Sequence, residues 1–198
     1  MHTHVKLGVV AAIVGLSLVA VGAASAQADP HSVKVSAGYA DDLHTSPGVL
    51  PNPWAGSPGV QFIGTGSPWD AGALKLYNPS KRTLTVDDVS VDFDFFGFVF
   101  ASYDVWGPYP LTVPGKGTLI LTQTDFFNFD TSEPAGVVTC DDLGILPFVH
   151  VTVGAKNPET KTFIDDGLIL NTGGIDINFC TGGNEGHDWV ALELLDED

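Results

Sequence analysis

Basic residues are scarce in this 198-residue chain: eight Lys and Arg stand against 24 Asp and Glu, for a formal net charge of −16. Such a surface repels phosphate backbones and anionic lipid headgroups, so nucleic-acid binding is strongly disfavoured. Divalent cations are natural counterions for this many carboxylates, although acidity alone does not establish a calcium site. We therefore expect no nucleic-acid partner and no obligatory cofactor.

Cysteine is equally rare, with only Cys140 and Cys180 in the whole chain. In an oxidising compartment the economical interpretation is one disulfide between them. Closing a loop of about 40 residues would stabilise the fold by roughly 3 to 4 kcal/mol on the chain-entropy model. The alternative is a metal thiolate site with His187, which would need two further ligands that the spacing does not supply.

The sequence also lacks the common catalytic motifs and stretches long enough for a stable helix. The chain has no Gly-x-Ser-x-Gly elbow, no His-Glu-x-x-His, no phosphate loop and no dinucleotide fingerprint. Its 13 prolines and 23 glycines break almost every window long enough for a stable helix. A Ser-His-Asp triad stays open, because triads assemble in space from separated residues. The sequence therefore predicts no particular reaction.

The one long apolar run lies at the start of the chain, over residues 7–24, and the small-residue string ASAQA closes it at 24–28. This arrangement is typical of a secretory signal peptide. We predict that residues 1–28 are removed and that residues 29–198, with a net charge of about −17, form one extracellular domain. A retained membrane anchor is the alternative. No later apolar run approaches the ~20 residues that a membrane helix needs.

The rest of the chain predicts an all-β protein. Short runs rich in Val, Ile, Leu, Phe and Thr recur between clusters of Gly, Pro, Asn and Asp. The predicted strands are residues 33–39, 60–65, 72–77, 83–86, 89–96, 98–105, 118–123, 147–153, 162–170 and 188–194. About ten short strands of this kind predict a single immunoglobulin-like or related β-sandwich.

The string TLTVDDVSVDFDF predicts an interrupted strand. Leu84 and Val86 occupy even-numbered positions, whereas the next apolar set begins at Val89 and occupies odd-numbered ones, which would point to the opposite face of a regular strand. A β-bulge or tight turn at Asp87–Asp88 would return the apolar side chains to the core.

Polar residues on two strands offer weak chemical signals. Asp92 and Asp94 share the polar face of their strand and suit an acid/base pair, cation ligands or a solvated outer face. His150 lies among the polar positions of FVHVTV, where a half-exposed strand residue is the usual role.

Two tryptophans stand out in the Pro- and Gly-rich segment 51–72. Trp54 and Trp69 each follow a proline. Together they could form an aromatic platform on which a sugar or polymer stacks. The alternative is that they close off the end of the sandwich.

Two acidic segments are candidate cation-binding loops. In DFFNFDTSE, Asn128 and Asp130 alternate like calcium ligands, but the position that an EF-hand gives to Gly is Glu133, so a turn capped by Asx side chains is the alternative. In GGIDINFCTGGNEGHDWV, the acids Asp176, Glu185 and Asp188 surround Cys180. That segment suits a cation-binding loop, a catalytic pocket or a disulfide-stapled turn before a last strand that turns Trp189 inward.

Several blocks carry a family resemblance: PWAGSPGVQFIG, PWDAGALKLYNPSKRTLTVDDVSVDF, YDVWGPYPLTVPGKGTLILTQTDFFNFDTSE, FIDDGLILNTGGIDI and GNEGHDW. Their order over residues 51–189 resembles a group of uncharacterised secreted bacterial proteins. The succession GALKLYNPSKRTLTVDDVSV and LTVPGKGTLILTQ also resembles lamin-tail-like domains, which are immunoglobulin-type sandwiches. The resemblance implies a fold and a location, and neither group supplies a catalytic motif.

Two function classes follow. The favoured one is a secreted, non-catalytic β-sandwich module that binds an extracellular polymer, another protein or copies of itself, without membrane insertion. The alternative is an extracellular glycan hydrolase that uses carboxylates such as Asp92 and Asp94. A cleft with two facing carboxyl groups about 5 to 10 Å apart would distinguish the hydrolase.

Overall fold

The computed structural model describes residues 32–44, 48–95, 98–100, 106–123, 146–170 and 186–195. These stretches form eleven β-strands in two sheets and contain no α-helix, which confirms the predicted all-β sandwich. In this part of the chain no helix has the length and apolar character needed to cross a membrane. The predicted signal peptide lies outside the described residues.

The first sheet has five strands. They are β1 (Lys34–Asp41), β2 (Val60–Ile63), β3 (Asp70–Tyr77), β7 (Thr118–Leu121) and β10 (His187–Ala191). Their order across the sheet is β10-β1-β3-β7-β2. Neighbouring strands are antiparallel except β2 and β7, which run parallel.

The second sheet has six strands, all paired antiparallel. They are β4 (Leu84–Phe95), β5 (Phe98–Phe100), β6 (Leu111–Val113), β8 (Pro147–Val153), β9 (Glu159–Ile164) and β11 (Glu193–Leu194). The order is β11-β9-β8-β4-β5, and β6 also pairs with β4.

One apolar cluster fills the space between the sheets. It joins Leu74 and Leu76 of the first sheet to Val149 and Val151 of the second. Strand β8 shows the alternation that produces this core, because its odd-numbered residues are buried and its even-numbered residues, including His150, are half-buried. The predicted half-exposed position of His150 is therefore confirmed.

The predicted irregularity in β4 is also confirmed. Leu84, Val86 and Val89 are all fully buried although their parity changes. The pairing of β4 with β8 shifts register between Val86 and Asp88. The extra residue lets the apolar side chains from Leu84 to Val91 stay on the core side of β4.

The predicted strand 162–170 is wrong in its second half. Strand β9 ends at Ile164, and the N–H of Leu168 then donates to the carbonyl oxygen of Asp165 at 3.2 Å. Leu168 has a φ of 54°, a left-handed conformation that cannot continue a strand. The aspartates and glycine of FIDDGLIL therefore form a turn.

The predicted last strand, 188–194, forms one strand in each sheet. Its first part is β10, which pairs with β1, and its second part is β11, which pairs with β9. Between them the N–H of Leu192 donates to the carbonyl oxygen of Val35 at 3.0 Å. This segment therefore ties the two sheets together along one side of the sandwich.

Candidate functional site

Three side chains able to ligate a metal converge where β1 ends and β3 begins. Asp41, His44 and Asp70 each offer one ligand atom, and these atoms lie within 4.8 Å of one another. The His44 Nδ1 is 3.4 Å from Asp41 Oδ1 and 3.8 Å from Asp70 Oδ1. The Asp41 side chain is fully buried, while those of His44 and Asp70 retain 16% and 15% exposure. Solvent therefore reaches this acid-histidine cluster from the His44 and Asp70 side.

Strand register brings the two carboxylates together. Asp41 and Asp70 lie directly opposite each other in the antiparallel pairing of β1 and β3. Val35 and Ala37, which have the same parity as Asp41, belong to the core between the sheets. Both carboxylates therefore lie on the inner side of the first sheet, where like charges facing each other repel.

A turn capped by Asp41 positions the histidine. The N–H groups of Leu43 and His44 donate to Asp41 Oδ1 at 3.1 and 2.9 Å, which is the geometry of an Asx turn. The Tyr39 hydroxyl donates to Asp70 Oδ1 at 3.2 Å. Each carboxylate of the cluster is thus oriented by a neighbouring donor.

An aromatic cluster covers the outer face of the five-stranded sheet. Its members are Trp54, Phe62, Trp69 and Trp189. The Trp54 ring meets that of Phe62 at a centroid distance of 5.1 Å and that of Trp69 at 5.6 Å, both edge to face. Trp54 is only 8% exposed, whereas the other three rings are half-buried. Polymer stacking would therefore fall to Trp69 and Trp189 rather than to Trp54.

Trp189 depends on a glycine beneath it. A Cβ atom on Gly38 would lie 2.9 Å from the Trp189 ring, closer than side-chain atoms pack. The indole Nε1 donates to the carbonyl oxygen of Pro53 at 3.0 Å. Trp189 thus turns onto the outer face of the first sheet, and the expectation that it points into the core between the sheets is wrong.

Charged groups flank the aromatic cluster. The Lys75 Nζ lies 4.9 Å from the centroid of the Trp189 ring, within the range of a cation–π interaction. Partial burial lowers the pKa of Lys75, and the nearby Asp188 carboxylate opposes that shift. Asp188 Oδ1 accepts hydrogen bonds from the N–H groups of Asn52 and Trp189 at 2.9 and 2.8 Å. The cluster therefore combines ring faces with one cation and one anion.

A second aspartate–histidine pair lies on the outer face of the other sheet. His150 Nε2 is 3.1 Å from Asp92 Oδ2, and His150 Nδ1 is 3.0 Å from the Thr162 hydroxyl. Thr162, His150 and Asp92 thus stand in the order of a nucleophile, a base and an orienting acid. However, these residues stand on three paired strands whose backbone groups form the sheet ladder, so they leave no free N–H pair for an oxyanion.

A groove of about 290 Å³ opens beside β2 and β6. Its lining residues are mostly apolar: Gln61, Phe62, Ile63, Pro110, Leu111, Thr112 and Leu119. None of the seven carries a titratable group, so this groove lacks the facing carboxyl groups of a glycosidase cleft.

The structure describes only some of the predicted site residues. Trp54, Trp69 and Asp188 belong to or border the aromatic cluster. The remaining ones, Asn128, Asp130, Cys140, Asp176, Cys180 and Glu185, lie outside the described residues. Both the disulfide and the calcium loops therefore stay predictions.

Sequence reasoning did not single out Asp41, His44 and Asp70. The available signals were an aspartate two residues after the predicted strand 33–39 and another two residues before the predicted strand 72–77. Only the pairing register makes them neighbours.

The sequence and the structure were compared with known proteins. No protein-family model, no curated protein and no solved structure matches the chain.

Proposed function

We propose that this chain is a secreted, non-catalytic β-sandwich module that binds a neutral extracellular polysaccharide through the aromatic cluster. The observation that carries the proposal is the set of four aromatic rings on the outer face of the five-stranded sheet. An outer sheet face is ordinarily polar. Partly exposed indole rings beside polar groups are suited to stacking on sugar rings.

The charge of the chain narrows the class of polymer. With 24 acidic and eight basic residues, the surface repels anionic polymers. Lys75 and Asp188 can supply hydrogen bonds to hydroxyl groups beside the Trp189 ring. A neutral glycan therefore fits better than a polyanion.

Affinity electrophoresis of the purified protein in gels that contain soluble neutral polysaccharides tests this function. We expect one class of polysaccharide to retard the wild-type protein, and Trp69→Ala and Trp189→Ala to abolish the retardation. Phe148→Ala is the matched control, because Phe148 is a half-buried aromatic residue of β8 on the outer face of the other sheet. Retardation that is equal in all variants, or lost only in Phe148→Ala, would reject the aromatic cluster as the binding surface.

The alternative is a glycan hydrolase that uses carboxylates such as Asp92 and Asp94, and the described part of this pair is Asp92, whose Oδ2 lies 3.1 Å from His150 Nε2. It predicts release of reducing ends from a polysaccharide at a rate proportional to protein concentration. Asp92→Asn should abolish that release if the carboxylate is catalytic. We expect no release above the background of a heat-inactivated sample.

A further inference from the structure

We propose that Asp41, His44 and Asp70 bind a divalent transition-metal cation, for which Zn²⁺ is the appropriate probe. The site lies on the inner side of the first sheet, whereas the aromatic cluster lies on its outer side. The proposal is therefore independent of polysaccharide binding.

The distances from the His44 imidazole to the two carboxylates are compatible with one shared ion, and all three ligand atoms lie within 4.8 Å of one another. Zinc bonds of about 2.0 to 2.2 Å in a tetrahedron place neighbouring ligand atoms about 3.3 to 3.6 Å apart. The His44 Nδ1 stands 3.4 and 3.8 Å from the two carboxylate oxygens. Both distances exceed the usual range of about 2.7 to 3.2 Å for an N–H···O hydrogen bond. The distances from the imidazole nitrogen to the two carboxylate oxygens are thus close to those expected if all three groups bind the same cation.

The donor set selects the class of metal. Zinc and its first-row neighbours accept imidazole nitrogen together with carboxylate oxygen, whereas Ca²⁺ takes six to eight oxygen ligands. One histidine and two aspartates therefore favour Zn²⁺ over Ca²⁺. Three protein ligands leave a fourth position for water or for a group of a bound molecule.

The surrounding structure holds the donors in place. Asp41 is fully buried and lies in register with Asp70 across two strands, so a cation between them relieves the repulsion of two carboxylates. The Tyr39 hydroxyl on Asp70 and the backbone N–H groups on Asp41 act as outer-shell partners that orient the ligands. The partial exposure of His44 and Asp70 gives the ion an entry path.

The experiment uses the full secreted protein, purified without a polyhistidine tag and stripped of metal by chelator. Zn²⁺, Mn²⁺ and Ca²⁺ are titrated separately by calorimetry, and the melting temperature is followed in about 0.5 M NaCl so that screening differences are suppressed. His44→Gln and Asp70→Asn test the ligands. His150→Gln and Asp92→Asn are matched controls, because they alter an aspartate–histidine pair on the other sheet.

We expect saturable binding of about one Zn²⁺ per chain with a rise in melting temperature. His44→Gln and Asp70→Asn should each weaken binding at least 10-fold, the loss that even outer-shell changes commonly cause. The controls should bind as the wild type does. Should Asp70→Asn fail to fold, His44→Gln decides the question, because His44 lies in a turn outside the strands and its side chain is partly exposed.

Three outcomes would overturn the proposal. They are no saturable Zn²⁺ binding by the wild type, undiminished binding by His44→Gln, and binding that is lost in His150→Gln or Asp92→Asn. Equal affinity for Ca²⁺ and Zn²⁺ would reject the assignment to a transition metal.

Discussion

The side-chain amide of Asn78 donates a hydrogen bond to the carbonyl oxygen of Val113 at 3.0 Å, which joins the turn after β3 to the end of β6. The same nitrogen also contacts the carbonyl oxygens of Arg82 at 2.7 Å and Pro114 at 3.1 Å. Its Oδ1 accepts the N–H of Ser80 at 3.1 Å. Asn78 is fully buried, so one residue satisfies the backbone groups of two loops.

Asn78→Asp should therefore destabilise the protein strongly although it preserves shape. The change places a carboxylate oxygen against three carbonyl oxygens, where a donor is needed. We expect a loss of about 2 to 4 kcal/mol in the free energy of unfolding, measured by denaturant titration at neutral pH. Asn157→Asp, in an exposed turn, is the control and should change stability by less than about 0.5 kcal/mol. Similar losses in both variants would contradict the role of Asn78.

Gly38→Ala should displace Trp189. The added methyl would lie 2.9 Å from the indole and 3.1 Å from Pro51, and such overpacking costs about 1 to 3 kcal/mol. We expect a lower melting temperature and a red-shifted tryptophan emission. Gly167→Ala is the control, because its nearest contact at 3.5 Å is ordinary packing. An unchanged emission spectrum in Gly38→Ala would show that the ring does not rest on this glycine.

Asp165 should make stability depend on pH in the acidic range. Burial raises the pKa of Asp165, and the N–H groups of Leu170 and Ile169 only partly oppose the shift. Between the ordinary aspartate pKa and the raised one, the folded state holds more protons than the unfolded state. The contribution of this group to stability is therefore fully present below the ordinary pKa and is lost as pH rises through the raised value.

Asp165→Asn removes that titration. Relative to the wild type, its free energy of unfolding should increase as pH rises from about 3 to 7, as measured by denaturant titration at each pH. Asp166→Asn is the control, because Asp166 is exposed. A stability difference between Asp165→Asn and the wild type that stays constant with pH would contradict the assignment.

The predicted disulfide between Cys140 and Cys180 has a direct test. Mass spectrometry of the protein collected after export should find no alkylated cysteine before reduction and one cross-linked peptide. Reduction should lower the free energy of unfolding by roughly 3 to 4 kcal/mol. Alkylation of both thiols without reduction would reject the bridge.

The same spectrum should show a chain that lacks residues 1–26 or 1–28.

The sequence alone determined those features that depend on neighbouring residues. Alternation in FVHVTV predicted a half-exposed His150, and the structure buries its neighbours Val149 and Val151 on the other side of the strand. The parity change after Val86 located the irregularity in β4. Both predictions succeed because side chains alternate between the faces of any strand, whichever strand is its neighbour.

Tertiary structure decided what depends on strand pairing. Asp41 and Asp70 become neighbours only because β1 and β3 pair in one particular register, and a shift of one residue would place them on opposite faces. Trp189 packs outside the first sheet because β10 pairs with β1 and Gly38 leaves room for its ring. Such pairings are long-range contacts between segments far apart in the chain, and local patterns do not encode their register.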